Sequence, residues 1–174
     1  MPRKPLKKFD MVVTGHSLDG PYVTIEMEAA QPLRTKSRGV LQGTATYKLP
    51  YAVPHDRGRK LLIGMGYLES QRSDLPAPEL RGLGSSALKH VQQRIFRNLA
   101  KQAGKPVVHA PEVIEDSPAR SFWLMHGYEE TSSFPRAGGG TIVVLKKEYS
   151  GQGTKKPSEK EQAIIGLLKS NLPK

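Results

Sequence analysis

The segment Pro78-Glu79-Leu80-Arg81-Gly82-Leu83-Gly84-Ser85-Ser86-Ala87-Leu88 carries the strongest chemical signal in the chain, a glycine-rich turn feeding directly into an amphipathic helix. Such a turn presents several unpaired backbone N–H groups and the positive end of a helix dipole, which together suit a diphosphate. Glycine serves where the backbone must approach an anion closely. The segment lacks the Lys-Ser/Thr ending of a nucleoside-triphosphate loop and does not stand in the early strand-helix unit of a dinucleotide site. Five scattered histidines and the absence of cysteine leave no metal-ligand cluster, no thiolate nucleophile and no disulfide framework. His109, in a short apolar run, reads as a satisfied core residue. His126, just before Gly127, reads as a C-cap interaction.

These residues need a scaffold, and the hydrophobic pattern supplies one in two halves. From Phe9 to Ser70, β-branched and aromatic residues alternate with polar ones. The expectation is a strand near 8–15, a hairpin turn at Ser17-Leu18-Asp19-Gly20, a second strand near 21–29, a third at 39–49 and a fourth at 60–70. The stretch 29–37 contains Pro32 and leaves room for a turn or two of helix, and 51–59 reads as a loop. Residues 71–78 form a linker. Beyond it, Leu88, Val91, Ile95 and Leu99 recur at steps of three and four, the buried face of a helix starting at Ser85 and ending near Gly104. His90, Arg94, Arg97 and Lys101 form a second stripe on that helix, either a solvated charged face or a site for an acidic partner.

A buried strand at 105–110 completes a strand, helix and parallel strand crossover. Ser117 as N-cap and Pro118 at the first helical position open a helix that Gly127 ends. Strands at 128–133 and 141–149 follow, joined by a glycine-rich loop. After a linker, Ser158 and Glu161 form a capping-box pair opening a short apolar helix, which docks on its own domain or meets a second copy in a homodimer. The predicted fold is α+β: a central mixed, mostly antiparallel sheet flanked by two main helices, plus a short C-terminal helix. Residues 1–8 are a basic arm, 9–149 the domain, and 150–174 a basic linker and amphipathic helix.

A chain of 174 residues suits one domain of this kind. The net charge of +11 is concentrated in the tails: residues 1–8 hold four cations, and residues 150–174 hold five lysines against two glutamates. Nucleic acid, an anionic membrane surface and cofactor phosphates all fit that balance, as does solubility alone. The longest nearly apolar run, Leu61 to Leu68, is far short of the ~20 residues a membrane-spanning helix needs. With no apolar signal region after Lys8, a cytoplasmic protein is expected.

The segment 78–88 resembles motif A of the GNAT superfamily, Gln/Arg-x-x-Gly-x-Gly/Ala, whose loop cradles the pyrophosphate of coenzyme A. About thirty-five residues later, Ala119-Arg120-Ser121-Phe122-Trp123-Leu124-Met125-His126-Gly127-Tyr128 resembles motif B, Ala-x-x-Phe-Tyr-x-x-x-Gly-Phe. The resemblance covers residues 60–149 and implies an acyltransferase. Aligning Gly82 and Gly84 with the two family glycines keeps Ala87, Leu88 and Val91 in the buried phase and puts Glu79 where glutamine or arginine is usual. The other register starts from Arg81 and places Gly84 and Ser86 at the glycines. In the first register Arg81, Gly82, Leu83, Gly84, Ser85 and Ser86 line the acetyl-coenzyme A site, with Trp123 beside it.

Trp123 stands where many members have the tyrosine that protonates the departing thiolate, and an indole N–H has no useful acidity at neutral pH. The resemblance further implies direct attack by an amine, with the oxyanion held by a strand N–H near residues 67–69. Glu69 is the candidate general base, with Tyr128 and His126 as further candidates. Two functions follow: an N-acetyltransferase whose amine acceptor is small, peptide-borne or RNA-borne, or a non-catalytic module of the same fold that binds nucleic acid or a nucleoprotein. The helices that commonly wall the family's acceptor site have no counterpart here, because residues 19–30 read as strand.

Overall fold

The computed structural model describes residues 8–36, 39–64, 67–70 and 82–173, with 67–70 described as backbone. Strands β1 (Met11–Asp19), β2 (Tyr22–Ala29), β5 (Thr44–Pro50) and β8 (Tyr67–Ser70) form an antiparallel four-stranded sheet in the order β1-β2-β5-β8. A second sheet is built from β6 (Val53–His55), β7 (Lys60–Gly64), β9 (Val107–Ala110), β10 (Glu112–Ile114), β11 (Glu129–Pro135) and β12 (Thr141–Tyr149). Its order is β10-β12-β9-β7-β6, with β11 also paired to β12. All its pairs are antiparallel except β7 with β9. The fold is therefore α+β, and the single predicted sheet is two main hydrogen-bonded sheets beside a small two-stranded one, because the run 60–70 serves one main sheet with its first half and the other with its second.

Alternation holds where it was expected. Ala45, Tyr47 and Leu49 of β5 are buried and their neighbours are not, and β7 buries Leu61 and Ile63 in the same way. Strand boundaries differ where backbone geometry intervenes. The first hairpin turns at Gly20-Pro21, at the far end of the predicted turn, because Gly20 supplies the positive φ (59°) that a two-residue loop requires at its first position. The predicted third strand breaks at Gln42-Gly43 into β4 (Gly39–Leu41) and β5, and the space allotted to a helical turn holds β3 (Leu33–Thr35), which pairs with β4. The break is fixed by Gln42 Nε2 donating to the Ala29 carbonyl (2.8 Å) and by the side chain of Leu83 pressed against Gly43. The predicted loop 51–59 contains β6, closed onto β7 by a turn in which Asp56 and Arg57 both take positive φ.

The long helix comprises α1 (Leu83–Val91), a π turn at Gln92–Phe96 and α2 (Arg97–Ala103), which Gly104 ends in the left-handed conformation. Leu88, Val91, Ile95 and Leu99 are all fully buried, as their spacing predicts. The wider π turn adds Gln92 and Phe96 to the same inward face, which regular 3.6-residue spacing would not bring together as squarely. α1 packs on β1, β5 and β8, and α2 on β9; α3 (Pro118–Met125) lies on β10. Ser117 occupies the N-cap of α3 but spends its hydroxyl on the Ile114 carbonyl (2.7 Å) instead of on the helix.

Helix α4 (Glu159–Leu168) starts with the expected capping box between Ser158 and Glu161 and docks on its own domain, burying Ile164, Ile165 and Leu168. The stripe His90, Arg94, Arg97 and Lys101 is not a free solvated face, because it holds the chain's own residues 152–161, while Arg94 also borders an open groove. His90 Nε2 meets Glu161 Oε2 at 2.7 Å, Arg94 donates to the Lys156 carbonyl, Arg97 to the Gln152 carbonyl and Lys101 to Thr154 Oγ1. Burial alone would raise the Glu161 carboxyl; the hydrogen bonds from His90 and the Ser158 N–H outweigh it and hold it below the usual carboxylate value.

Gly151 sits so close to the helix that a β-carbon there would stand 2.7 Å from the Lys101 Cα. Gly151→Ala should therefore cost about 1–3 kcal/mol in urea unfolding as the segment is pushed off the helix. An unchanged midpoint would mean that this contact is absent in solution. Among the described residues no helix is long and apolar enough to cross a membrane.

Candidate functional site

Gly82, the N-cap of α1, takes φ 101°, a conformation that only glycine adopts without strain, and lets the chain turn abruptly into the helix. The first intrahelical bond runs from the Ser86 N–H to the Gly82 carbonyl (3.0 Å), so helix geometry leaves the N–H groups of Leu83, Gly84 and Ser85 without intrahelical acceptors. No acidic residue occupies this first turn. The Leu83 side chain is a core anchor, 1% exposed. Both serine hydroxyls are engaged within the chain, Ser86 Oγ by the Phe9 N–H and Ser85 Oγ by His126 Nε2, each at 2.9 Å. What this turn offers a ligand is chiefly backbone N–H groups and a dipole, together with the Ser86 O–H, which its acceptor bond from Phe9 does not use. Arg81 lies outside the described residues.

The bond between Ser85 and His126 joins the start of α1 to the end of α3 and brings cations with it. Burial, then Lys89 and Lys147, lower the His126 pKa, so these three side chains share one electrostatic neighbourhood. Lys89 stands one helical turn beyond Ser85 on the same face. Lys147 donates to the His126 carbonyl (2.9 Å) across Gly127, and is itself lowered by burial and by Arg97. The helix start, Lys89, His126 and Lys147 together gather the groups that an anion needs. Spacing from Ser85 could have revealed Lys89; no local signal pointed to Lys147, which β12 delivers.

Beside this cluster two parallel strands part company. β7 and β9 pair from Leu61↔Val107 to Gly64↔Ala110, after which the first chain continues as β8 beside β5 and the second as β10 beside β12. β8 is an edge strand of its sheet, so alternate backbone groups of 67–70 face away from β5 toward no described strand. Glu69 is placed opposite Thr46 in that strand, and its carboxylate lies outside the described part of the structure.

Under the fork lies a buried polar chain. Gln92 Nε2 donates to Tyr149 Oη (2.7 Å), Tyr149 and Tyr128 hydroxyls bond at 2.9 Å, and Tyr128 Oη meets His109 Nδ1 at 2.6 Å. Read from Gln92, each phenol passes its proton onward, which makes His109 Nδ1 the acceptor and leaves the proton on Nε2. That nitrogen and the Tyr47 hydroxyl have no partner among the described residues, so the expectation of a fully satisfied His109 is corrected on one side of its ring. Tyr128 is 2% exposed, and burial pushes its phenol far above the usual tyrosine range; burial also raises Tyr149, to about 12. Trp123 is 4% exposed and contacts Phe122, His109 and Tyr128 edge-on.

Burial lowers His109 to about 3, so the folded protein carries it neutral. Unfolded, it binds a proton below about 6.5, and stability is lost as pH falls through that value. From pH 6 to pH 5 the unfolding free energy should drop by about 1.2 kcal/mol on account of this one group. His109→Gln, which does not titrate, should remove that part of the slope in urea melts; an equal slope in the variant would assign it to other groups.

Among the described residues no group of three or more histidine, cysteine, aspartate or glutamate side chains could hold a metal ion. Compared with known proteins, the chain matches no protein-family model, and no curated protein is significantly similar to it.

Proposed function

We propose that the protein is an N-acyltransferase of the kind its two motifs resemble, moving an acetyl group from acetyl-coenzyme A to an amine. The observation that carries this reading is the meeting of the α1 first turn with Lys89, His126 and Lys147 beside the fork between β7–β8 and β9–β10. Three backbone donors and three basic side chains suit a diphosphate. The edge of β8 offers the N–H groups that a thioester oxyanion would need.

In the reaction an amine nitrogen attacks the thioester carbonyl, the new C–N bond forms as the C–S bond breaks, and Glu69 takes the proton that the amine releases. The buried indole of Trp123 supplies no proton, so water protonates the departing thiolate. Tyr128, buried and raised, serves here as part of the floor under the site. The hairpin joining β1 to β2 through Gly20-Pro21 provides no helical wall for an acceptor, which leaves the amine unspecified.

Calorimetric titration with acetyl-coenzyme A tests the proposal. Binding with a dissociation constant of roughly 1–100 μM is expected, which corresponds to about 5.5–8 kcal/mol. No heat of binding up to millimolar cofactor would end the acyltransferase reading.

A further inference from the structure

A groove of about 450 Å³ runs between the segment Lys8–Met11 and the exposed side of the long helix. Lys8, Lys89, Arg94 and Lys155 line it, with Asp10 the sole acid in its wall. It adjoins a second cleft of about 540 Å³ that shares His90 and Arg94 and adds Lys160 and Glu159. Lys8, Lys89 and Lys155 are exposed and make no ion pair among the described residues. Arg94 spends one nitrogen on the Lys156 carbonyl. The Glu161 carboxylate, bonded to His90 at 2.7 Å, also lies within the field of Arg94 and offsets part of that charge. Five cations thus face three carboxylates along two adjoining clefts that together form one trough, on a chain whose overall charge is +11.

We infer that this trough holds the phosphodiester backbone of a single-stranded nucleic acid. An acidic peptide would need several apolar anchors for affinity, and the lining exposes one: Met11 and Val13 are buried, Phe9 packs against the core with its N–H fixed to Ser86, and Val12 alone is half exposed. Several cations with one apolar anchor fit a repeating anion, and recessed clefts of about 450 and 540 Å³ suit a flexible single strand that can bend into them over a stiff duplex. With no base-reading surface in the lining, binding is independent of sequence and strongly dependent on salt. The trough shares Lys89 with the proposed diphosphate site but does not rest on the acyltransferase reading, and its test contains no coenzyme A.

The test is fluorescence anisotropy of the full chain with labelled ten-nucleotide oligouridylate and oligothymidylate, against salt. Micromolar binding is expected at about 50 mM salt, with log affinity falling by about 0.7 per log salt for each phosphate neutralised. A Lys8→Glu/Lys155→Glu variant should bind at least tenfold more weakly, and its salt slope should shrink by about 1.4, two contacts' worth. Lys105→Glu/Arg136→Glu, the same charge change on exposed residues of other elements, should keep the wild-type slope. The milder Lys8→Gln/Lys155→Gln pair should fall between, and thermal midpoints should not move. Preference for the ribose strand over the deoxyribose strand would assign the site to RNA, and equal binding would assign it to the phosphates alone. Absence of binding at low salt, an equal loss in the control variant, or equal binding of a ten-residue polyglutamate would each overturn the inference.

Discussion

Gly84→Glu should abolish acetyl-coenzyme A binding, by a hundredfold or more in the titration, while the protein remains at least as stable as wild type. The two effects have opposite signs for one reason. Gly84 lies in the first turn of α1, where no acidic residue stands and where the dipole favours negative charge. A glutamate there improves the helix by removing a glycine, about 0.5–1 kcal/mol, and by complementing the dipole, about 0.3–1 kcal/mol. The same carboxylate occupies the donors that the phosphates would use and repels them. Ser86 accepts from Phe9 and Ser85 is bonded to His126, and the backbone N–H groups remain the main donors of that turn. A variant that melts at or above the wild-type temperature and still binds the cofactor would place the diphosphate elsewhere.

Trp123→Ala should destabilise the fold by about 3–5 kcal/mol, the usual cost of deleting a large buried aromatic side chain. That is a large share of the roughly 5–15 kcal/mol available to a domain. The indole holds together two systems: it packs on His109 and Tyr128 within the core, and its neighbour Phe122 meets His126 at a tilted ring contact at the basic cluster. Trp123→Phe, which refills most of the space, should restore most of the stability. Trp123 is the sole tryptophan, so its own emission reports the core in the wild type, and circular dichroism follows the variants. A loss below about 1 kcal/mol for the alanine variant would contradict its burial.

The β1–β2 hairpin, the periodic burial of α1, the crossover to β9, Pro118 opening α3, Gly127 closing it and the capping box of α4 are all legible in the order of the residues. These features are local: they depend on residues a few positions apart, whose spacing encodes the period of a strand or a helix. The glycine turn into α1 belongs with them, since a helix start announces its own unpaired donors.

The stripe His90, Arg94, Arg97 and Lys101 shows the other side. Its spacing placed four basic side chains on one face correctly, yet nothing nearby indicated that residues 152–161 would return to cover that face. The basic cluster has the same character, because α1 supplies Ser85 and Lys89, the end of α3 supplies His126 and β12 supplies Lys147, and they meet only when the three elements pack together. So does the division of residues 60–70 between two sheets, which depends on which neighbours β9 and β5 already have. By itself, then, the sequence determined the elements, their faces and the glycine turn, because periodicity and turn chemistry act over a few residues. Only the tertiary structure decided which charges are free and which are spent, where the parallel strands part, and that His109 is held neutral with a ring nitrogen left unpartnered among the described residues. Those properties are sums over neighbours distant in the chain, and burial, hydrogen-bond partners and local charge exist only after the chain has packed.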